Sequence, residues 1–116
     1  MPVIKIFYDE VLDAAMRANR DDIQTKLEAM MREVLAANPA KCQVLMCPVM
    51  QATPLPVYVD LQFRANDHRT RPVVAEAMEH AAAAITAATG MGVRIRAFDI
   101  DQAILHALDV ASEEVP

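Results

Sequence analysis

Tryptophan is absent from this 116-residue chain, and glycine and cysteine occur only twice each. The two glycines, Gly90 and Gly92, stand together, and no Asn-Gly or Asp-Gly pair exists. Tight two-residue hairpins ordinarily use such pairs, so helical crossovers between parallel strands are the expected connections. No phosphate-binding glycine loop and no Gly-x-Ser-x-Gly elbow is present, which removes two common catalytic signatures. Cys42 and Cys47 fall five residues apart in one predicted strand and point to opposite faces. That spacing disfavours a mutual disulfide or a shared metal, and the thiols read as small core residues of a reducing compartment. His68, His80 and His106 lack metal-ligand spacing. No apolar run approaches the roughly 20 residues of a membrane-crossing helix. The first ten residues already include Lys5, Asp9 and Glu10, so no signal peptide is expected. A cytoplasmic protein without metal, organic cofactor or membrane partner is the expectation.

What is present is apolar and adaptable. Hydrophobic residues make up 54% of the chain and charged residues 23%, with eight methionines and three phenylalanines. Length and composition suit one globular domain over residues 1–116, its core padded by flexible side chains. Part of the apolar surplus is available for a subunit interface. A formal charge of −5 disfavours nucleic-acid phosphates and acidic membrane surfaces as partners.

The chain reads as two similar halves. Pro2 to Tyr8 alternates and is rich in β-branched residues, a strand signature. Asp21 or Asp22 can cap a helix on Ile23, Leu27, Met30, Met31, Val34 and Leu35, stopped by Asn38-Pro39. Cys42 to Met46 is a second strand closed by Pro48. Pro48 to Pro56 holds three prolines without a helical pattern, and 50–55 within it reads as a linker. Pro56 to Phe63 is a third strand. Thr70 can cap a helix with Pro72 in its first turn, running through Val74, Met78, Ala81 and Ile85 to Thr89-Gly90. Val93 to Phe98 is a fourth strand, and Asp99 or Asp101 opens a short amphipathic tail helix over 101–111. The order is βαβ, linker, βαβ, tail, a pseudo-repeat of 1–49 and 56–99 with a Pro-Val strand start in each half. An α/β (α+β) fold with one four-stranded sheet follows. A ferredoxin-like sandwich and a tautomerase fold share this element order.

The chemistry centres on Pro2. Aminopeptidases usually trim an initiator Met that precedes a small residue, leaving a secondary amine at the head of a strand. An α-amino group has a reference pKa of roughly 7.7–8, and burial in an apolar pocket lowers it further. A group poised near the operating pH suits general acid–base catalysis. A retained Met1 makes the same nitrogen an amide, which cannot act as this base. In the fourth strand, Val93, Ile95 and Ala97 should pack beneath the helices while Arg94, Arg96 and Phe98 point the other way. Arg94 and Arg96 stand about 6.6–7 Å apart along the strand. They either address one dianionic ligand through charge-assisted hydrogen bonds, or belong to a solvated strand face or pair with Asp60 or Asp99. Lys41 leads the second strand as another cationic candidate. Arg20, Arg64 and Arg71 read as surface charges, His80 and His106 as helix-surface residues, and His68 as part of a candidate pocket loop.

Pro2, the duplicated βαβ plan and the length together resemble the tautomerase superfamily. The nearest branch is the trimeric one of 5-carboxymethyl-2-hydroxymuconate isomerase and macrophage migration inhibitory factor. In that family the N-terminal proline is the acid–base group, and Pro2 falls on its position. Lys41 matches a basic residue at the start of the second strand, and Arg69, after a short shift, an arginine in the loop before the second helix. Arg94 and Arg96 stand where the inhibitory-factor branch has an aromatic and an amide residue that reach a neighbour's pocket. Asn19-Arg20-Asp21-Asp22 resembles the arginine site before the first helix of the smaller 4-oxalocrotonate tautomerases. The resemblance implies a homotrimer that moves a proton between carbon and oxygen of a small acidic enol or keto acid, such as a hydroxymuconate from aromatic degradation. Pro2 would be catalytic, and Lys41, Arg69, Arg94 and Arg96 would bind substrate. The alternative is a non-catalytic ligand-binding or oligomeric interaction module.

Overall fold

The computed structural model describes residues 2–54 and 57–112. Within them the chain runs β1 (Val3–Asp9), α1 (Asp13–Ala18), α2 (Arg20–Glu33), β2 (Gln43–Val49), β3 (Val57–Arg64), α3 (Arg71–Thr89) and β4 (Arg94–Ile100). The four strands form one sheet in the order β2-β1-β3-β4. β1 pairs with β2 in parallel and β3 with β4 in parallel, while the central pair β1–β3 is antiparallel.

This register decides between the two architectures that share the element order. In a ferredoxin-like sandwich each βαβ unit is split by an intervening strand. Here the strands of each unit are direct neighbours, and the units meet along β1–β3. Two intact βαβ units sharing one sheet are the tautomerase arrangement.

Alternation along the strands sorts residues onto two faces. Ile4, Ile6 and Tyr8 of β1 and Val57, Val59, Leu61 and Phe63 of β3 are buried under the helices. Ile23, Leu27, Met30, Met31 and Leu35 meet them from α2 or its end, and Ala77, Ala81 and Ile85 from α3. Val93, Ile95 and Ala97 pack against the same core, as the alternation in the fourth strand requires. Among the described residues no helix lies over the other face of the sheet. It presents Lys5 and Phe7, Tyr58 and Asp60, and Arg94, Arg96 and Phe98.

Several boundaries differ from the sequence reading. The segment before α2 folds into α1, held to β1 by Tyr8 Oη donating to Asp13 Oδ1 (2.8 Å) while Arg17 Nε donates to Asp13 Oδ2 (2.8 Å). Asn19, rather than Asp21 or Asp22, occupies the junction from which α2 starts. β2 continues through Pro48 to Val49, because it is an edge strand and a missing N–H on the solvent side breaks no ladder bond. β4 begins after Val93 and extends two residues beyond Phe98. The second Pro-Val strand start rests on Pro56, which lies outside the described residues. The tail helix over 101–111 does not form: Gln102–Ile104 makes one 3-10 turn, and the chain then runs on without regular structure to Ser112. Its apolar face has nothing to cover it, Ile104 and Leu108 being 73% and 87% exposed, and so short a helix without packing is marginal in water.

Two left-handed residues close the long helices. Gly90 (φ 70) ends α3 with its N–H donating to the Thr86 carbonyl at 2.7 Å. Beyond α2, Ala36 takes φ 52, and Ala37 N–H then donates back to the Met31 carbonyl (3.0 Å).

Candidate active site

Pro2 lies at the head of β1, in the middle of the sheet, and it is buried. Its carbonyl accepts from Gln43 N–H at 3.2 Å, which binds it to the start of β2. The last β1–β3 pair is Val3 with Gln62, so the antiparallel register brings Pro2 beside Phe63 and the end of β3. The end of β4 lies there too, with Ala65 N–H donating to the Ile100 carbonyl at 2.8 Å. Pro2 therefore sits where two strands begin and two end.

Arg69 arrives at this end from the loop between β3 and α3. It is 7% exposed. Its Nε donates to the Leu35 carbonyl (3.0 Å), its Nη1 donates to the Arg64 carbonyl (2.8 Å), and the guanidinium lies 5.7 Å from the Phe63 ring centroid. The loop is shaped for this by Asn66, whose Oδ1 accepts from Arg69 N–H at 3.0 Å. His68 Nε2 stands 2.9 Å from the Val34 carbonyl. Helix ends leave orphan carbonyls, and Arg69 and His68 meet those at the end of α2. Burial pulls the Arg69 pKa below the usual arginine range, partly offset by the Asp99 carboxylate. Arg69 thus joins α2 to β3, while its charge stays at the Pro2 end of the sheet.

Lys41 closes the 3-10 turn Pro39–Lys41 ahead of β2. It is exposed, with Nζ 3.7 Å from the equally open Asp109 carboxylate, an ion pair of little energetic weight. Ala40, Lys41, Cys42, Gln43 and Asp109 line a shallow cleft of about 370 Å³. Gln43 ties that cleft directly to Pro2. The Cys42 thiol, 3.5 Å from the Asn38 carbonyl, is pushed up in pKa by burial and then by the Glu28 charge. Both cysteines are free.

Arg94 and Arg96 do not join this group. Both are exposed on β4, where Arg94 pairs in register with Tyr58 and Arg96 with Asp60. Asp60 in turn is level with Lys5, three residues along β1 from Pro2. Arg96 is therefore about 10 Å along the sheet and about 10 Å across it from Pro2, and Arg94 is farther still. Neither arginine has a carboxylate within 4.0 Å among the described residues, so the expected pairing with Asp60 or Asp99 does not form. Arg96 Nη1 donates instead to the neighbouring Ile95 carbonyl at 2.8 Å. Arg20, at the start of α2, lines a separate cleft of about 330 Å³ with Gln24, Glu28, Val44 and Met46.

Two features escaped the sequence reading. Arg64 is not a simple surface charge: its Nε is buried, and so is the Oδ1 of Asp60. Their i, i+4 spacing on a strand face was the available signal. At the far end of β1, Tyr8 is buried against Asp13, and its pKa is pushed up to about 12 by burial and then by that hydrogen bond. Among the described residues no group of His, Cys, Asp and Glu is arranged to hold a metal. No helix there is long and apolar enough to cross a membrane.

No protein-family model and no curated protein matches the sequence. Solved structures do match. A fused 4-OT wild-type symmetric trimer aligns over 95% of this chain and 94% of its own, at 16% identity and a TM-score of 0.75. Macrophage migration inhibitory factor of Toxoplasma gondii aligns over 93% and 97% at 13% identity and 0.72. A 5-carboxymethyl-2-hydroxymuconate delta-isomerase aligns over 96% and 89% at 17% identity and 0.68. All three are proteins of the tautomerase superfamily. At such identities likeness speaks for architecture rather than activity, and on that ground, with two intact βαβ units in one sheet and Pro2 at the head of its central strand, the chain carries the tautomerase fold.

Proposed function

We propose that the protein is a cofactor-independent tautomerase or isomerase that catalyses 1,3- or 1,5-proton transfer in an enol or unsaturated 2-hydroxy or 2-oxo acid. The observation that carries this reading is the buried Pro2 at the head of β1, at the end of the sheet to which the loops of Lys41 and Arg69 lead. With Met1 removed, the Pro2 nitrogen is a secondary amine. Neutral at rest, it takes the enol or allylic proton, becomes the ammonium, and returns the proton to carbon. The negative charge that develops on the dienolate is held by preorganised cations.

Lys41 and Arg69 supply that charge from the same chain. Lys41 is free to swing onto a carboxylate, whereas Arg69, bound to two carbonyls, acts from a fixed place. Arg94 and Arg96 are too distant to serve their own Pro2 and would serve a neighbour's. The reading therefore includes a homotrimer, in line with the trimeric form of a fold neighbour. A small dicarboxylate such as a hydroxymuconate from aromatic degradation suits this cationic set, and a cytoplasmic location goes with the two free thiols.

The intact mass of untagged protein is the first test, since a retained Met1 overturns the Pro2 mechanism. With Met1 absent, ketonisation of 2-hydroxymuconate or phenylenolpyruvate should fall about 10²–10⁴-fold in Pro2→Ala, the usual range for a lost acid–base group. Equal rates for the two proteins overturn the assignment. A second reading, a non-catalytic oligomeric or ligand-binding module, has one observation in its favour: Arg69 already bonds two carbonyls and Lys41 faces Asp109. Retention of Met1 would select it.

A further inference from the structure

β2 and β4 are the two edges of the sheet. β4 finishes at the Pro2 end, where the Ile100 carbonyl accepts from Ala65 N–H. β2 begins at that same end, where Gln43 N–H donates to the Pro2 carbonyl. The chain that follows β4 nevertheless reaches the opposite edge: Asp109 Oδ2 stands 3.7 Å from Lys41 Nζ, just ahead of β2. Residues 101–109 therefore cross the end of the sheet at which Pro2 lies. Three strand spacings make that crossing about 14 Å, whereas nine residues can extend to about 30 Å. The strap is long enough to lift without disturbing β4.

Little holds it down. Asp101 Oδ1 accepts from Ala103 N–H at 2.9 Å and starts the 3-10 turn Gln102–Ile104. Beyond the half-buried Leu105, no backbone hydrogen bond ties 106–112 to the other described residues. Leu108 and Val110, on either side of Asp109, are 87% and 83% exposed. Among the described residues the contact with Lys41 is the one ion pair of this segment, and both of its side chains are more than half exposed.

We propose that Asp109 is an internal competitor for the substrate carboxylate at Lys41, and so sets how strongly the site prefers dicarboxylates over neutral enols. The inference rests on the reading of Lys41 as a substrate-binding cation. Asp109 offers that ammonium the same functional group as the substrate, in the cleft that Gln43 ties to Pro2. At 3.7 Å the contact is longer than a charge-assisted hydrogen bond of about 2.7–2.9 Å, so a carboxylate in direct contact displaces it. Tethering keeps Asp109 at high local concentration, while exposure to water keeps its hold weak. Only a ligand that uses Lys41 has to displace it; a neutral enol does not.

The test titrates fumarate, an unreactive dicarboxylate, into the whole chain as wild type, Asp109→Asn, Lys41→Gln and the double variant. Binding is followed by the NMR shifts of the Lys41 and Gln43 amides. Asp109→Asn should tighten fumarate about two- to fivefold, the range expected for an exposed ion pair. In the Lys41→Gln background the same substitution should change nothing. With 2-hydroxymuconate, Asp109→Asn should lower KM by the same factor and leave kcat, and KM for a neutral enol, unchanged. An equal gain in the Lys41→Gln background assigns the effect to net charge and overturns the inference. Fumarate affinity unmoved by Asp109→Asn, or no fumarate binding to any variant, overturns it as well. Fumarate that tightens in a protein without enol turnover leaves the competition standing and overturns only the proposed reaction.

Discussion

The Pro2 end of the sheet and the middle of its helix-free face both carry arginine, and the same side chain is used in contrary ways. At the first, Arg69 is buried and donates to the Leu35 and Arg64 carbonyls, so the ends of α2 and β3 depend on it. At the second, Arg96 is exposed and finds only a neighbouring backbone carbonyl. An arginine that completes the fold has little freedom to rearrange around a ligand. An arginine that the fold leaves unsatisfied is available to something outside the chain. Burial and partner geometry, not residue type, separate the two.

Stability measurements on the two sites should break or sharpen this contrast most sharply. Arg69→Ala strips donors from two carbonyls, and at about 1.5–3 kcal/mol for each charged hydrogen bond the domain should lose several kcal/mol, read as a fall in denaturant midpoint. Arg69→Lys should recover only part of that, since one ammonium cannot span both carbonyls in fork geometry. Arg96→Ala should leave the midpoint within about 0.5 kcal/mol of wild type, as surface changes usually do. Its effect should fall on KM for a dicarboxylate enol and spare a neutral one. A large stability loss at Arg96, or none at Arg69, would erase the distinction.

The Tyr8–Asp13–Arg17 network offers a second, smaller handle at the opposite end of β1. Tyr8→Phe should cost about 1 kcal/mol for one hydrogen bond. Because the folded pKa of Tyr8 is raised from 10.0 to about 12, its contribution is complete below pH 10 and is lost as pH rises through 12. Asp13 is shifted the other way, downward, by its hydrogen bonds from Arg17 and Tyr8. Its contribution is present above the ordinary carboxylate range and is lost as pH falls below it. Urea midpoints followed across both limits should show the alkaline decline in wild type and not in Tyr8→Phe.

An effect of the opposite sign is expected at Ala36, held at φ 52 just after Leu35, whose carbonyl Arg69 binds. A left-handed non-glycine residue costs roughly 1–2 kcal/mol, and glycine gives part of that back in unfolded-state entropy. Ala36→Gly should therefore raise stability by up to about 1 kcal/mol, measured by thermal unfolding.

Much of this was legible in the residues themselves. The stripe Ile23, Leu27, Met30, Met31 faces the core as its spacing requires. Gly90 ends its helix, and Val93, Ile95 and Ala97 part from Arg94, Arg96 and Phe98. These are local periodicities, decided by 3.6-residue and two-residue repeats. The tail was misread because Ile104, Leu105 and Leu108 carry a helical spacing with no surface opposite them. Pro48 was misread because a proline's cost in a strand depends on whether the strand lies at an edge, which is not a local property. Arg69 and Arg96 could not be told apart at all, since each is a cation beside polar residues in the chain.

By itself the sequence determined the order of the four strands and the two long helices, the inward-facing residues, the duplicated plan and the place of Pro2 at the start of a strand, all consequences of short-range geometry. Only the tertiary structure decided that the two βαβ units stay intact in one sheet. It alone put Arg69 with Pro2 and Arg94 and Arg96 elsewhere, and left Asp60 and Arg64 unsatisfied. Those outcomes turn on strand register and on which backbone carbonyls remain unpaired, contacts between residues far apart in the chain that no local pattern encodes.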